Sequence, residues 1–502
     1  MKSPTSPSLA RHRYGLDLPI ILAWGSALAL GLVFASSMEP RWFLVIVSSL
    51  IFCSVFLAVP DKEKVLLYIA VFLLPIGLDF HPFYIENLPY FLPAVGLRVS
   101  AFDVVFFCLL MAWFFKLLHS RQYSIRFYPH ISIPVAIIWA ISVIDYHDSA
   151  LPGLIKTSYL YYVVRNWLIF LYIVNNIRHR NTLLAILMIY FLGGVLQALI
   201  GFSQYATGST LGLDLFGEKT RSFFAMKVGG GYINRVAGIL GHPNKLATYL
   251  GLLLPCNLSL IFAPISNRYK VLLTFTFLLI AAADLLTFSR AGWLNAGLGC
   301  AIVILWILIR RMRQVALPLV VTILLALTVA GLSLTFSESI RNRVFGHDYG
   351  AAYARIPLAQ LALNMTRAKP LLGVGLGDFT SVSQQYDNTR VAISQVFPMP
   401  VHNEFLLVAA ELGILGLCAY LYVVLVVLAS TARQTRSGTD PMLTHMGIGF
   451  LASWIGLLAN YQLTFGYTIL IAYPFWFHVG LLIKSADIAL NGRTLNYNHG
   501  LS

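Results

Sequence analysis

Two guanidiniums and one imidazole carry the most suggestive chemistry in this sequence: Arg235, Arg290 and His402. Arginine grips phosphate oxygens with paired, charge-assisted donors. Arg235 opens the stretch Asn234-Arg235-Val236 that runs on to His242-Pro243-Asn244-Lys245, and Arg290 lies in Thr287-Phe288-Ser289-Arg290-Ala291-Gly292-Trp293. His402 sits in Pro398-Met399-Pro400-Val401-His402-Asn403-Glu404-Phe405, where a long polar segment meets a strongly apolar one. At one membrane depth the three could hold a diphosphate head group whose lipid tail stays in the bilayer. Position alone is also explained by arginines that snorkel to the interface, with Trp293 in an aromatic belt.

The elements around these residues follow from local rules. Pro398 and Pro400 keep helix away from the junction, and Asn403 is a good N-cap for a helix running through Phe405. Glu404 and Glu411 are seven residues apart and share one face of that helix; a carboxyl inside an apolar run usually has a partner or a task. Gly413 and Gly416 would let another helix approach closely. Upstream, Pro357 and Pro370 bound a predicted helix over 357–365, with Ile356 and Leu363 free to rest on the membrane surface as a lid. The glycine run Gly373-Val374-Gly375-Leu376-Gly377-Asp378-Phe379 can bring backbone N–H groups to an anion or form a plain turn. It follows no βαβ strand, which excludes the dinucleotide fingerprint. Arg165, in mid-span, needs a structural ion pair or a cavity to line.

Of 502 residues, 58% are hydrophobic and 11% charged. Apolar runs recur from end to end, so the expected class is an all-α polytopic membrane protein. Candidate spans are 18–36, 42–59, 65–78, 102–118, 131–144, 157–174, 183–205, 236–262, 271–287, 291–309, 315–334, 405–429, 442–461 and 467–483. The net charge of +15 is scattered through short loops, not gathered in a basic tract, which argues against nucleic acid. All 5 cysteines fall in apolar runs, and no close His/Cys cluster or carboxylate pair has metal-ligand spacing. With a cytoplasmic N-terminus, every cytoplasmic segment carries at least two Lys or Arg, so both termini face the cytoplasm. His402 and the long loops 206–234 and 336–402 are then extracytoplasmic. The expected organisation is a transmembrane bundle over 1–205, a catalytic region over 206–430 and two last helices with a tail over 431–502.

Taken together, His402-Asn403 with Glu411-Leu412-Gly413 and Gly416, the Arg235 segment with Asn244 and Ala247, Ser289-Arg290-Ala291-Gly292 and the glycine run resemble the O-antigen ligase and polymerase superfamily of bacterial membrane glycosyltransferases. The resemblance covers roughly residues 230–417. It implies about 12–14 transmembrane helices in the bacterial inner membrane, with a long, partly helical extracytoplasmic loop before the antepenultimate one. It further implies transfer of a glycan from an undecaprenyl diphosphate carrier to a hydroxyl of a glycan or lipid-linked glycan, inverting, with neither metal nor cofactor, in lipopolysaccharide or exopolysaccharide assembly. By that resemblance His402 is the general base and Arg235 and Arg290 bind the diphosphate. Asn244, Asn403, Glu411, Gly375 and Gly377 support them, Glu411 by positioning the His402 helix or an arginine. An ordinary imidazole pKa near 6.5 suits a base whose help is typically worth about 10²- to 10⁴-fold. A small-anion transporter would use similar buried charges, but no inverted repeat or paired broken spans are visible. A flippase of lipid-linked sugars would need a basic cavity through the whole bilayer, whereas these residues cluster at one face.

Overall fold

The computed structural model describes residues 61–86, 88–92, 94–119, 125–218, 225–228, 231–310, 353–437, 440–464 and 472–497. The chain divides into two compact units, Met1–Leu66 and Leu67–Ser502. Within the first, residues 61–66 are described, and they open helix α1 (Lys62–Leu73). The second unit is built from α2 (Ala101–His119), α3 (Pro129–Ile144), α4 (Gly153–Asn176), α5 (Arg180–Thr207), α6 (Pro243–Ile261), α7 (Asn267–Leu286), α8 (Arg290–Arg310), α9 (Arg355–Ala368), the single turns α10 (Ser383–Tyr386) and α11 (Ile393–Val396), then α12 (Glu404–Ser437), α13 (Pro441–Asn460) and α14 (Tyr473–Tyr497). Two antiparallel hairpins join them, β1 (Asp79–Tyr84) with β2 (Gly96–Ser100) and β3 (Ala225–Val228) with β4 (Gly231–Asn234).

The chain is an all-α polytopic membrane protein. Among the described residues, α2, α5, α7, α8, α12 and α13 are each long and apolar enough to cross a bilayer. Outward apolar side chains such as Phe107 and Phe114 on α2 and Leu272 and Phe275 on α7 are more than half exposed or close to it, as lipid contact requires. Helices α4 and α6 reach spanning length with more polar sequences because their polar residues are buried against protein. α6 is buried on nearly every side, against α13 and α7, and α4 carries Lys156, Arg165 and Asn166 inward beside α14. Arg165 has its partner there: Nη1 lies 3.3 Å from Asp103 Oδ1, a structural ion pair.

Several expected spans change their limits. The run 65–78 yields only α1, which stops at Leu73 two residues before Pro75, roughly 18 Å of helix where a bilayer core needs about 30 Å. The run 236–262 is helical only from Pro243, because residues 238–242 form a turn. Candidate spans 18–36, 42–59 and 315–334 lie outside the described residues, as does the first part of the loop 336–402.

At one end of the bundle Arg180 on α5 pairs with Asp440 before α13 at 2.5 Å, and Lys484 on α14 and Arg126 before α3 meet Asp487 at 3.1 and 3.8 Å. At the other end lie the N-termini of α6, α8 and α12 and the C-terminus of α13, and these helix ends carry the candidate site.

Candidate functional site

Arg235 is anchored from both sides. Its Nε donates to the Thr287 carbonyl at 2.7 Å and its Nη2 to Asn244 Oδ1 at 2.7 Å. Next to it, Val236 N–H donates to the Leu286 carbonyl at 3.2 Å, so the segment lies along the corner between α7 and α8. Two glutamines of α5, seven residues apart on one face, hold the following turn. Gln204 Oε1 accepts from Gly238 N–H at 2.9 Å, and Gln197 Oε1 from Ile239 N–H at 3.0 Å. Motif reasoning missed both, since nothing local in α5 marks them.

Arg290 begins α8 three residues after Thr287, the acceptor of Arg235, so one corner carries both guanidiniums. Phe288 within it is buried with φ at 50°, a left-handed conformation of order 1–3 kcal/mol for a bulky residue, which surrounding contacts must sustain. Ser289 Oγ accepts from Gly292 N–H at 3.3 Å and caps the helix. A methyl on Gly292 would strike Ala247 of α6, so the starts of α6 and α8 touch. Arg235, Asn244 and Arg290 are thereby brought to one place.

His402 stands at the mouth of α12. Asn403 Oδ1 accepts from the N–H groups of Phe405 and Leu406 at 3.0 and 3.1 Å, the cap anticipated from the sequence. His402 Nδ1 is 3.2 Å from the Pro400 carbonyl. A carbonyl only accepts, so Nδ1 carries the hydrogen and the lone pair falls on Nε2. Burial, and after it the positive charge of Arg355, lower the imidazole pKa to about 4. It is therefore neutral at physiological pH, with Nε2 as its acceptor nitrogen.

Hydrogen bonds connect this mouth to the arginine corner. Asn403 Nδ2 donates to Gln462 Oε1 at 2.9 Å and Glu404 N–H to the Tyr461 carbonyl at 2.9 Å, just past the end of α13. Asn460, which ends α13, donates to Thr248 Oγ1 at 3.4 Å, and Thr248 donates to the Asn244 carbonyl at 2.8 Å. Asn244 in turn faces Arg235. His402, Arg235 and Arg290 thus share one end of the bundle, opposite the Arg180–Asp440 and Lys484–Asp487 ion pairs.

The glycine run packs against two helices, α12 and α4. α12 is broken at Gly413 (φ 65°, ψ −168°), and the turns of residues 370–375 lace into the break. Val374 N–H and Gly375 N–H donate to the Ala410 and Glu411 carbonyls at 2.9 Å each, while Ile414 N–H donates to the Pro370 carbonyl at 2.8 Å. The backbone groups freed inside the apolar helix are satisfied by this segment, where a neighbouring helix had been expected. Gly413 is required because a side chain would meet Leu371 and Leu372. Glu411 Oε1 accepts from Phe379 N–H at 3.4 Å and so ties α12 to the glycine run. A methyl at Gly375 would meet Asp378 and Lys156, and one at Gly377 the Tyr159 ring. Both glycines thus allow close packing on α4, and the charge nearest them is the chain's own buried pair, Lys156 Nζ to Asp378 Oδ2 at 2.9 Å. α9 matches the predicted helix, with Ile356 and Leu363 exposed and Leu358, Leu361 and Met365 turned to the core beneath it. Among the described residues no three His, Cys, Asp or Glu side chains converge as metal ligands.

Residues 275–421 match the family described as O-Antigen ligase. The match contains Arg290, the glycine run, His402 and Glu411, and begins after Arg235 and Asn244. No curated protein matches the chain. A solved structure described as "Structural coordination of polymerization and crosslinking by a peptidoglycan synthase complex" has 14% identity and a TM-score of 0.39, covering 72% of this chain and 97% of that one. A likeness that faint carries no argument.

Proposed function

We propose, with the O-antigen ligase domain at residues 275–421 as premise, that the chain is a membrane glycosyltransferase that moves a glycan from an undecaprenyl diphosphate carrier to an acceptor hydroxyl. The observation that carries this reading is the single end of the bundle shared by a neutral imidazole with its lone pair on Nε2, by the anchored guanidinium of Arg235 and by Arg290 at the start of α8. In the reaction the acceptor oxygen bonds to the anomeric carbon from the face opposite the diphosphate, and the configuration inverts. The hydroxyl proton goes to His402 Nε2 as the bond from carbon to the diphosphate oxygen breaks. Arg235 and Arg290 neutralise the charge that develops on the leaving diphosphate, work a divalent ion would otherwise do. Arg235 is preorganised for it by Thr287 and Asn244, so little reorganisation is needed during the step.

By the excess of Lys and Arg in the loops of the opposite end we take that end as cytoplasmic, so that the site faces lipid-linked glycans presented on the extracytoplasmic leaflet. Ligase and polymerase share this donor half and differ only in the acceptor. The test is to incubate the purified full-length chain with an undecaprenyl-diphosphate-linked glycan and separate acceptors: a lipopolysaccharide core, and a second lipid-linked glycan. Transfer with release of undecaprenyl diphosphate is expected in the presence of EDTA. Absence of transfer to either acceptor overturns the proposal, and a requirement for added magnesium or manganese overturns its metal-free step.

A further inference from the structure

We infer that Glu218 and Gln204 are positioning residues for the donor: the Glu218 carboxylate fixes the Gln204 amide, and that amide holds the turn from which Arg235 reaches the diphosphate. The donor and its diphosphate rest on the transferase proposed above; the network of hydrogen bonds does not. Gln204 lies in the last turn of α5 and Glu218 in the loop that follows, both before the matched residues 275–421. They are 6% and 3% exposed. Gln204 Oε1 accepts from Ala237 N–H at 3.2 Å and from Gly238 N–H at 2.9 Å. Its Nε2 donates to the Gly238 carbonyl at 3.0 Å and to Glu218 Oε1 at 2.7 Å. Both lone pairs and both hydrogens of the amide are thereby used. Glu218 also accepts from Leu211 N–H at 2.9 Å and from Leu213 N–H at 2.7 Å.

Control runs from the loop to the arginine. An amide turned over would set its NH2 against two N–H groups and its oxygen against a carbonyl and a carboxylate, so one orientation survives, and the acceptor-only carboxylate selects it. Gly238, three residues after Arg235, has φ 57°, and a methyl there would meet Gln197 Oε1, so the turn is fitted closely to α5. The loop also touches the turn directly: a methyl on Gly217 (φ 104°) would come within 2.6 Å of the Ile239 carbonyl. Thr287 and Asn244 hold the guanidinium of Arg235, while the turn holds the backbone it starts from. A shift of the turn therefore moves Arg235 relative to Arg290. Paired hydrogen bonds to phosphate weaken steeply with misalignment, so donor affinity is the quantity this network sets.

The test measures binding of undecaprenyl diphosphate to the purified full-length chain by native mass spectrometry, with undecaprenol as the tail-only control. Wild type should prefer the diphosphate. Glu218→Gln and Gln204→Leu should each weaken diphosphate binding by about tenfold, as expected for losing hydrogen bonds to a charged group, and leave undecaprenol binding unchanged. The exchanged pair Gln204→Glu/Glu218→Gln should recover part of the affinity, because the hydrogen bond between positions 204 and 218 returns with donor and acceptor reversed. In an Arg235→Gln chain, Glu218→Gln should have no further effect, since the network acts through Arg235; a merely structural loss would add to it. Monodisperse chromatography checks each variant. Unchanged diphosphate affinity in Glu218→Gln, an equal loss of undecaprenol binding, or losses that add in the Arg235→Gln chain each overturns the inference. A wild type with no preference for the diphosphate overturns it together with the donor role of Arg235. Glu218-dependent diphosphate binding in a chain that transfers no glycan would support the inference and sink the transferase reading alone.

Discussion

Lys156 on α4 and Asp378 in the glycine run meet at 2.9 Å with side chains 2% and 0% exposed, from distant parts of the chain. Lys156 also donates to the Leu376 carbonyl at 3.1 Å, and Ser149 Oγ to Asp378 Oδ2 at 2.7 Å. This pair pins to α4 the same segment that fills the break in α12 at Gly413.

Removing one partner strands the other as an uncompensated buried charge, a loss of about 3–5 kcal/mol. Lys156→Met should therefore lower the thermal unfolding midpoint of the detergent-solubilised chain sharply. The Lys156→Met/Asp378→Leu double variant should recover much of that stability. Equal stability of wild type and Lys156→Met would show that the pair does not hold the segment.

His402 sets a pH dependence of known sign. Its folded pKa of about 4 lies below the ordinary 6.5, so the unfolded chain binds the proton more readily. The contribution to stability is fully present above about 6.5 and is lost as pH falls from there toward about 4. Single-turnover rate should follow the neutral imidazole and fall with an acid limb near 4, well below the ordinary histidine value. Arg355→Gln, which removes the second cause of the shift, should move that limb upward. An acid limb near 6.5 in the wild type would contradict the buried, Arg355-flanked setting.

Base and phosphate ligand should fail differently. His402→Ala should leave donor binding nearly intact and lower turnover by about two to four orders of magnitude, since proton transfer belongs to the transition state. Arg290→Ala removes charge from a diphosphate present before and during reaction, so affinity and turnover should both fall, with Arg290→Lys restoring only part. Donor binding and single-turnover rates on chromatographically normal variants decide this. Normal turnover in a folded His402→Ala chain would take the imidazole out of the chemistry.

Topology is open to direct labelling. A cysteine at Tyr386, in the region that packs with α9, should react with a membrane-impermeant thiol reagent in intact cells, and one at Arg433, at the far end of α12, should not. The reverse pattern would put His402 on the cytoplasmic side.

What the sequence alone determined was what local chemistry dictates. Apolar runs of spanning length name the membrane class, because no water is available to satisfy an exposed backbone in lipid. Asn403 after two prolines names a helix start, and Pro357 in the first turn of α9 and Pro370 just past its end mark that helix, because caps and proline act within one turn. The three candidate residues could also be placed near one membrane face by counting spans.

Only the tertiary structure decided who touches whom. Arg235 finds Thr287, Lys156 finds Asp378, and residues 370–375 find the break at Gly413 across separations that leave no periodic trace in the sequence. Gly413 reads like any small residue of a helix interface until its backbone is seen to leave the helix. The reason is physical: a hydrogen bond or ion pair depends on groups being within about 3 Å, and which distant groups come that close is settled by how the helices pack, not by neighbours in the chain.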